Sequence, residues 1–325
     1  MNDISGVELA LFGPVSLVNI DTWLAGIVHD HLDAELRKVI WRSGRIDAVY
    51  GLWLTDDRKV VLKVRRGPVD LPALEASLTA LRYLSSTGYP CPAPVAGPFL
   101  RDGHTVTIEA LLEQGTAEDA RRRAIRRAMA SSLVEHIRIL RAVGHLAPRL
   151  RARPAWTRYS NGPWPVPHDP IFNFTTTPAG WEWLDTFARQ ASDALVAVRR
   201  RDENVIGHGD WYGGNLRFEN ERVVATFDWD LMVESEAVLA GLTAGGYLAE
   251  GSPTPEEIAA FLVDFEEARE EIFIPDQQRS AVAGACWVLA FNARCDLFNS
   301  GGRVEIASAL DRLGARREEY RRISW

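Results

Sequence analysis

Near the start of the chain, apolar positions Leu17, Ile20, Trp23, Leu24, Ile27, Leu32 and Leu36 fall at helical spacing, which predicts a helix over 16–40. From residue 45 the period shortens. "DAVYGLWL" and "KVVLKV" are β-branched and aromatic runs separated by "TDDR", the pattern of a hairpin. Pro68 and Pro72 open "LPALEASLTALRYLSSTG", where helical spacing returns and stops at Gly88. Four prolines in ten residues make "YPCPAPVAGP" a stiff connector, because proline lacks an amide donor and fixes φ. "HTVTIEALL" reads as a further strand. After residue 115 the periodicity is mostly helical, at 117–144, 181–201, 254–272, 277–298 and 304–322, with a proline- and tryptophan-rich stretch at 148–181. Strand, strand, helix, strand and then helices predict an α+β chain of two lobes. The small β-rich lobe, with a leading helix, takes 1–112 and the larger helical lobe 113–325.

Composition narrows the partners more than the fold. Hydrophobic residues at 46% and charged residues at 25% are ordinary for a globular protein. A net charge of −7, from 37 basic and 44 acidic side chains, leaves no basic footprint for nucleic acid. The N-terminus lacks the charged start and apolar block of a signal sequence, and no apolar run approaches the roughly 20 residues that span a bilayer. The expectation is a cytoplasmic protein that engages small molecules rather than nucleic acid or membrane. Cys91, Cys286 and Cys295 are far apart and in no ligand-like spacing, so they read as buried thiols.

Candidate chemistry concentrates in "VIGHGDWYGGNLRF", where His208, Asp210 and Asn215 share eight positions with three glycines. "VVATFDWD" begins eight residues after Asn215, and the intervening "LRFENER" predicts a hairpin turning at 219–221. A hairpin returns Asp228 to the side of Asn215. An amide oxygen beside a carboxylate is the hard-oxygen pair that Mg²⁺ prefers, and Asp210 is left to face a hydroxyl. Taken singly, His-Gly-Asp is a turn and 228–230 an exposed loop; in this order, joined by a hairpin, they form a candidate site.

"HGDWYGGN" followed by "FDWD" resembles the H-G-D-x-x-x-x-N and D-W-D signature of the aminoglycoside phosphotransferase and choline kinase-like group. The resemblance implies a two-lobed protein-kinase-like fold and transfer of a nucleotide γ-phosphoryl group, from ATP or GTP, to a small-molecule hydroxyl. On this reading Asp210 is the catalytic aspartate, Asn215 and Asp228 hold Mg²⁺, and His208 is a scaffold residue. "VVLKV" looks like the strand whose lysine reaches the phosphates, which assigns that role to Lys63, with Glu75 of the next helix to hold it. Ser43 and Gly44 occupy the turn of the phosphate-covering loop, although the full G-x-G-x-x-G is missing. "TIEALLEQG" resembles the strand where the adenine edge bonds to backbone near Glu109 to Leu111. After D-W-D the chain departs from the family pattern, with Glu236 where aspartate is common and Ala240 replacing a later aspartate.

Four other regions come into question for the acceptor site. The acidic residues of 231–275 could attract a polycation, or form the solvated face of an amphipathic helix. Arg149, Arg151, Arg153 and Arg158, with Trp156, Tyr159 and Trp164, could meet a neutral or anionic sugar. Trp287, Phe291, Arg294 and Asp296 read as a core stripe, and "ARRRAIRRA" as the wet face of a helix. Competing functions are a metal-dependent hydrolase using His208, Asp210, Asp228 and Asp230, a nucleotide-binding homologue without catalysis, and a protein kinase. The last is disfavoured because no activation-segment signature follows Asp228.

Overall fold

The structure, a computed structural model, describes residues 4–150, 155–157, 162–166, 174–198, 203–299 and 307–325. It divides into two compact units, Met1–Glu113 and Gln114–Trp325.

In the N-terminal unit, α1 (Gly6–Phe12) and α2 (Leu17–Leu32) each begin at a capping box, on Ser5 and Ser16. The helix predicted over 16–40 ends early, at Asp33 in the left-handed region (φ 51°). Leu36–Ser43 is instead strand β1, paired with β2 (Ala48–Leu54). Its half-exposed, irregular pattern fits either period, and hydrogen bonding to β2 decides the outcome. β2 and β3 (Lys59–Arg65) form the expected hairpin, and α3 (Leu71–Ser86) follows behind an Asp70 cap. The proline-rich connector is partly strand: β4 (Pro94–Arg101) pairs with β5 (His104–Ala110). The antiparallel sheet runs β1-β2-β3-β5-β4, so the prolines sit on an edge, where a missing N–H costs no ladder bond. Leu24, Ile27 and Val28 of α2 share a core with Tyr50, Leu52, Leu62, Val106 and Ile108 of the sheet.

The C-terminal unit is mainly helical: α4 (Arg123–Leu140), α5 (Glu182–Val198), α6 (Glu236–Gly246), α7 (Pro255–Arg269), α8 (Pro275–Asn299) and α9 (Ala307–Arg321). Two small antiparallel sheets interrupt the helices. One pairs β6 (Asn204–His208) with β9 (Leu231–Ser235); the other is the hairpin of β7 (Leu216–Glu219) and β8 (Arg222–Thr226). α8 is long and apolar enough to cross a bilayer by length and composition, contrary to the sequence reading, and most of it is buried inside this unit against α5 and α6.

Two charge runs that look like wet faces in the sequence neutralise one another. Arg126 of α4 bonds Asp264 of α7 at 2.7 Å, with side chains only 12% and 3% exposed, and Arg127 pairs with Glu267. Arg121 and Arg316 engage Glu257 and Glu256 at the start of α7. Arg126 therefore points inward, and α7 does not offer a continuous free acidic wall.

Small residues let α6 and α8 approach closely. A methyl on Gly241 would lie 2.0 Å from the Ala281 carbonyl oxygen, and one on Gly245 would lie 2.5 Å from that of Ala285. Backbone cannot yield as a flexible side chain does, so Gly241→Ala is expected to destabilise by about 1–3 kcal/mol or more, read as a lower urea midpoint at unchanged slope.

Candidate active site

The segment 208–215 leaves β6 and enters β7, and 227–230 connects β8 to β9, so two short sheets present two loops side by side. The β7–β8 turn places Asn220 and Glu221 at φ 50° and 59°, which suits the right-handed twist of a tight hairpin. One extra residue bulges from β8 between Ala225 and Val223, but at the open end Leu216 opposes Thr226 and the Phe227 amide donates to the Asn215 carbonyl at 2.9 Å. Asp228 is thereby brought next to Asn215, in the left-handed region (φ 51°). A non-glycine residue there is strained, and the flanking hydrogen bonds hold it in place.

Further bonds tie the loops together. The Gly209 amide donates to the Asp230 carbonyl at 2.8 Å, and the Gly213 amide to Tyr247 at 2.8 Å. His208, buried at 1% exposure, uses both ring nitrogens. Nδ1 accepts the Asp210 amide at 3.1 Å, which leaves the proton on Nε2, 3.2 Å from the Phe227 carbonyl. This is a neutral scaffold imidazole spanning both loops, with neither ring nitrogen open to a metal. Among the described residues no group of three or more His, Cys, Asp and Glu is disposed to hold a metal ion.

The Asn215 amide nitrogen donates to the Asp210 carbonyl at 3.1 Å and to its carboxylate at 3.3 Å. Its Oδ1 accepts no hydrogen bond from any described residue, so it remains available as a hard ligand. Asp210 opens to solvent at its carboxylate while protein packs densely behind it. Burial, and then the charge of Asp228, push its carboxyl up to about 6, against a smaller lowering by the Asn215 amide. Burial, followed by the same two carboxylates, also raises the Tyr212 phenol, so it remains a protonated donor beside them. Tyr212 lies against Gly214, where a methyl would meet its ring 2.4 Å away.

The remaining candidates belong to the N-terminal unit. Lys63 Nζ lies 3.0 Å from Glu109, both nearly buried in adjacent strands. Glu109, expected at the nucleobase edge, is thus a partner of the lysine. Glu75 stands on an exposed position of α3. The Leu111 amide is given to the Lys59 carbonyl at 3.0 Å, so any backbone donor to a base would come from beyond it. Ser43 ends β1, and Gly44 takes φ 121°, with a methyl there only 1.9 Å from the Asp47 carbonyl; this turn requires glycine.

Tyr212, Trp211, Trp229 and His136 were passed over in the sequence. The first three stand inside the quoted motifs, but nothing in their spacing marks them. His136 lies 72 residues from its partner His208. Trp287, Phe291 and Arg294 are core as read, and Asp296 is half-buried. Arg151, Arg153, Arg158 and Tyr159 lie outside the described residues.

A family model described as "Phosphotransferase enzyme family" matches residues 39–236. No curated protein matches the sequence significantly. Solved structures share the fold. An amicoumacin kinase in complex with AMP-PNP, Ca²⁺ and Ami is 13% identical, with a TM-score of 0.62 over 94% of this chain and 96% of that one. A thermostable mutant of aminoglycoside phosphotransferase APH(4)-Ia is 14% identical, with a TM-score of 0.59 over 93% and 98%. Spectinomycin phosphotransferase APH(9)-Ia, with ADP and spectinomycin, is 15% identical, with a TM-score of 0.53 over 94% and 93%.

The raised Asp210 carboxyl has a consequence for stability. Between its ordinary 3.8 and about 6 the folded state binds more protons than the unfolded one, so ionisation destabilises the fold as pH rises through that window. Without added divalent cation, Asp210→Asn is expected to raise Tm at pH 7.5. The gain should close below about pH 4, where both proteins are uncharged at this position; a thermal melt series across pH checks it.

Proposed function

As a member of the phosphotransferase enzyme family, this chain, we propose, transfers the γ-phosphoryl group of ATP or GTP to a hydroxyl of a small molecule such as an aminoglycoside, an amino sugar or a related metabolite. The observation that carries the reading is the hydrogen-bonded grouping of Asp210 with Asn215, beside Asp228. One aspartate faces solvent, and an amide oxygen without a described donor stands near a second carboxylate.

The roles follow from chemistry. Asp210 orients the acceptor hydroxyl and receives its proton as the new O–P bond forms, while the bond from the γ-phosphorus to the β,γ-bridging oxygen breaks and the nucleoside diphosphate leaves. Asn215 Oδ1 and the Asp228 carboxylate fit a Mg²⁺ ion: they are hard oxygens and too few to cage it alone, as expected when nucleotide phosphates and waters complete its coordination. When bound, that ion neutralises phosphate charge. Lys63, oriented by its 3.0 Å contact with Glu109, serves the α- and β-phosphates. The protein contributes alignment and electrostatics rather than covalent chemistry.

The structural neighbours support a small-molecule acceptor without choosing one, since they include an amicoumacin kinase and a spectinomycin phosphotransferase. The mutual pairing of α4 and α7 charges lessens the case for a broad polycation-attracting wall.

A coupled screen for ADP or GDP release, with Mg·ATP and Mg·GTP against aminoglycosides, amino sugars, macrolides, choline and other amino alcohols, tests the proposal. Acceptor-dependent release is expected; nucleotide binding with no turnover across the panel would favour a non-catalytic homologue, and release that needs no acceptor a hydrolase. Asp210→Ala should abolish turnover while nucleotide still raises Tm. Lys63→Met should raise the nucleotide KM roughly tenfold or more, the scale of losing one charged hydrogen bond.

A further inference from the structure

His208 holds both loops of the site, and what holds His208 is a second histidine. β6 pairs on one edge with β9, so amides along its other edge need acceptors elsewhere. The amide of His208, the last residue of β6, donates to His136 Nε2 of α4 at 3.2 Å. His136 has 0% exposure. Its ring lies 5.0 Å from Trp211 and 5.2 Å from Trp229, and His208 lies 5.6 Å and 4.8 Å from the same two indoles. The Trp211 indole N–H is fixed to the Met129 carbonyl of α4 and that of Trp229 to the Thr226 hydroxyl. Two imidazoles and two indoles therefore form one closed cluster between α4 and the loops.

We infer that His136 is a positioning residue for phosphoryl transfer: as a neutral acceptor it fixes the end of β6, and through His208 the relative placement of Asp210 and Asp228. The connection is continuous. His136 Nε2 takes the His208 amide, His208 Nδ1 takes the Asp210 amide, and His208 Nε2–H reaches the Phe227 carbonyl, one residue before Asp228. Burial, and next the neighbouring His208, hold the His136 imidazole well below the usual histidine range, which keeps Nε2 an acceptor. Releasing the His208 amide frees the strand end. In-line transfer is sensitive to displacements of about 1 Å, so the effect falls on turnover more than on binding.

The inference rests on the phosphotransfer reading for its kinetic consequence but not for its structural one, and two measurements separate them. His136→Leu removes the acceptor while keeping apolar volume; His136→Gln restores a carbonyl oxygen at similar reach. The expected result is a kcat at least tenfold lower for the leucine variant with nucleotide KM within about threefold, and recovery of most of that loss by glutamine. Hydrogen exchange of the His208 amide should be slow in the unaltered protein, faster in the leucine variant and slow again with glutamine. A leucine variant with unchanged kcat, or a glutamine variant no better than leucine, overturns the positioning role. Unchanged exchange in the leucine variant overturns the hydrogen bond. An unaltered protein that transfers phosphate to no acceptor sinks the functional proposal, and the kinetic role of His136 with it, while exchange still decides the hydrogen bond.

Discussion

Two carboxylates held within each other's field are the constraint around which the C-terminal unit is organised. Burial, and then the charge of Asp228, raise the Asp210 carboxyl, and Asp228 itself sits in the left-handed region of the backbone. A chain free to relax would separate them. It is prevented by backbone bonds that cross between the loops, Gly209 to Asp230 and Phe227 to Asn215, and by an imidazole whose two nitrogens engage one loop each. Such strain is a reservoir that a bound cation can relieve, which is the usual logic of a site whose function needs charges the fold alone disfavours.

The surrounding packing serves that rigidity. Indole rings and the α4 helix close over the back of the loops, and glycines in α6 bring its backbone against α8. The carbonyl of Tyr247, immediately after α6, accepts the Gly213 amide of the 208–215 loop, so the close helix pair is coupled to the candidate site through one hydrogen bond. In the N-terminal unit the equivalent economy is the Lys63–Glu109 pair, a nearly buried lysine and carboxylate 3.0 Å apart on neighbouring strands.

Membership of the phosphotransferase enzyme family accounts for the motif order and the kinase-like fold. It leaves the acceptor open, because identities of 13–15% to the solved relatives carry architecture and not specificity. Within the motif region, tyrosine and tryptophan fill x positions of the H-G-D-x-x-x-x-N loop and Glu236 after the D-W-D segment bonds Arg141; elsewhere, arginines of α4 pair with acids of α7.

The sequence by itself determined the features whose signals are local. Hairpin β7–β8, the helices at 182–198, 255–269 and 275–299, and the adjacency of Asn215 to Asp228 all follow from periodicity, turn chemistry and short loop length, each confined to a few tens of residues. Tertiary structure alone decided what depends on partners distant in the chain. β1 became a strand rather than helix because β2 offers it hydrogen bonds, and prolines entered β4 because it lies at a sheet edge. Arg126 turned inward because Asp264 awaits it 138 residues later, and Glu109 came to lie beside Lys63 through strand register. His136 belongs to the same class: an isolated histidine on a helix carries no sign of the amide it must accept until the strand is folded against it.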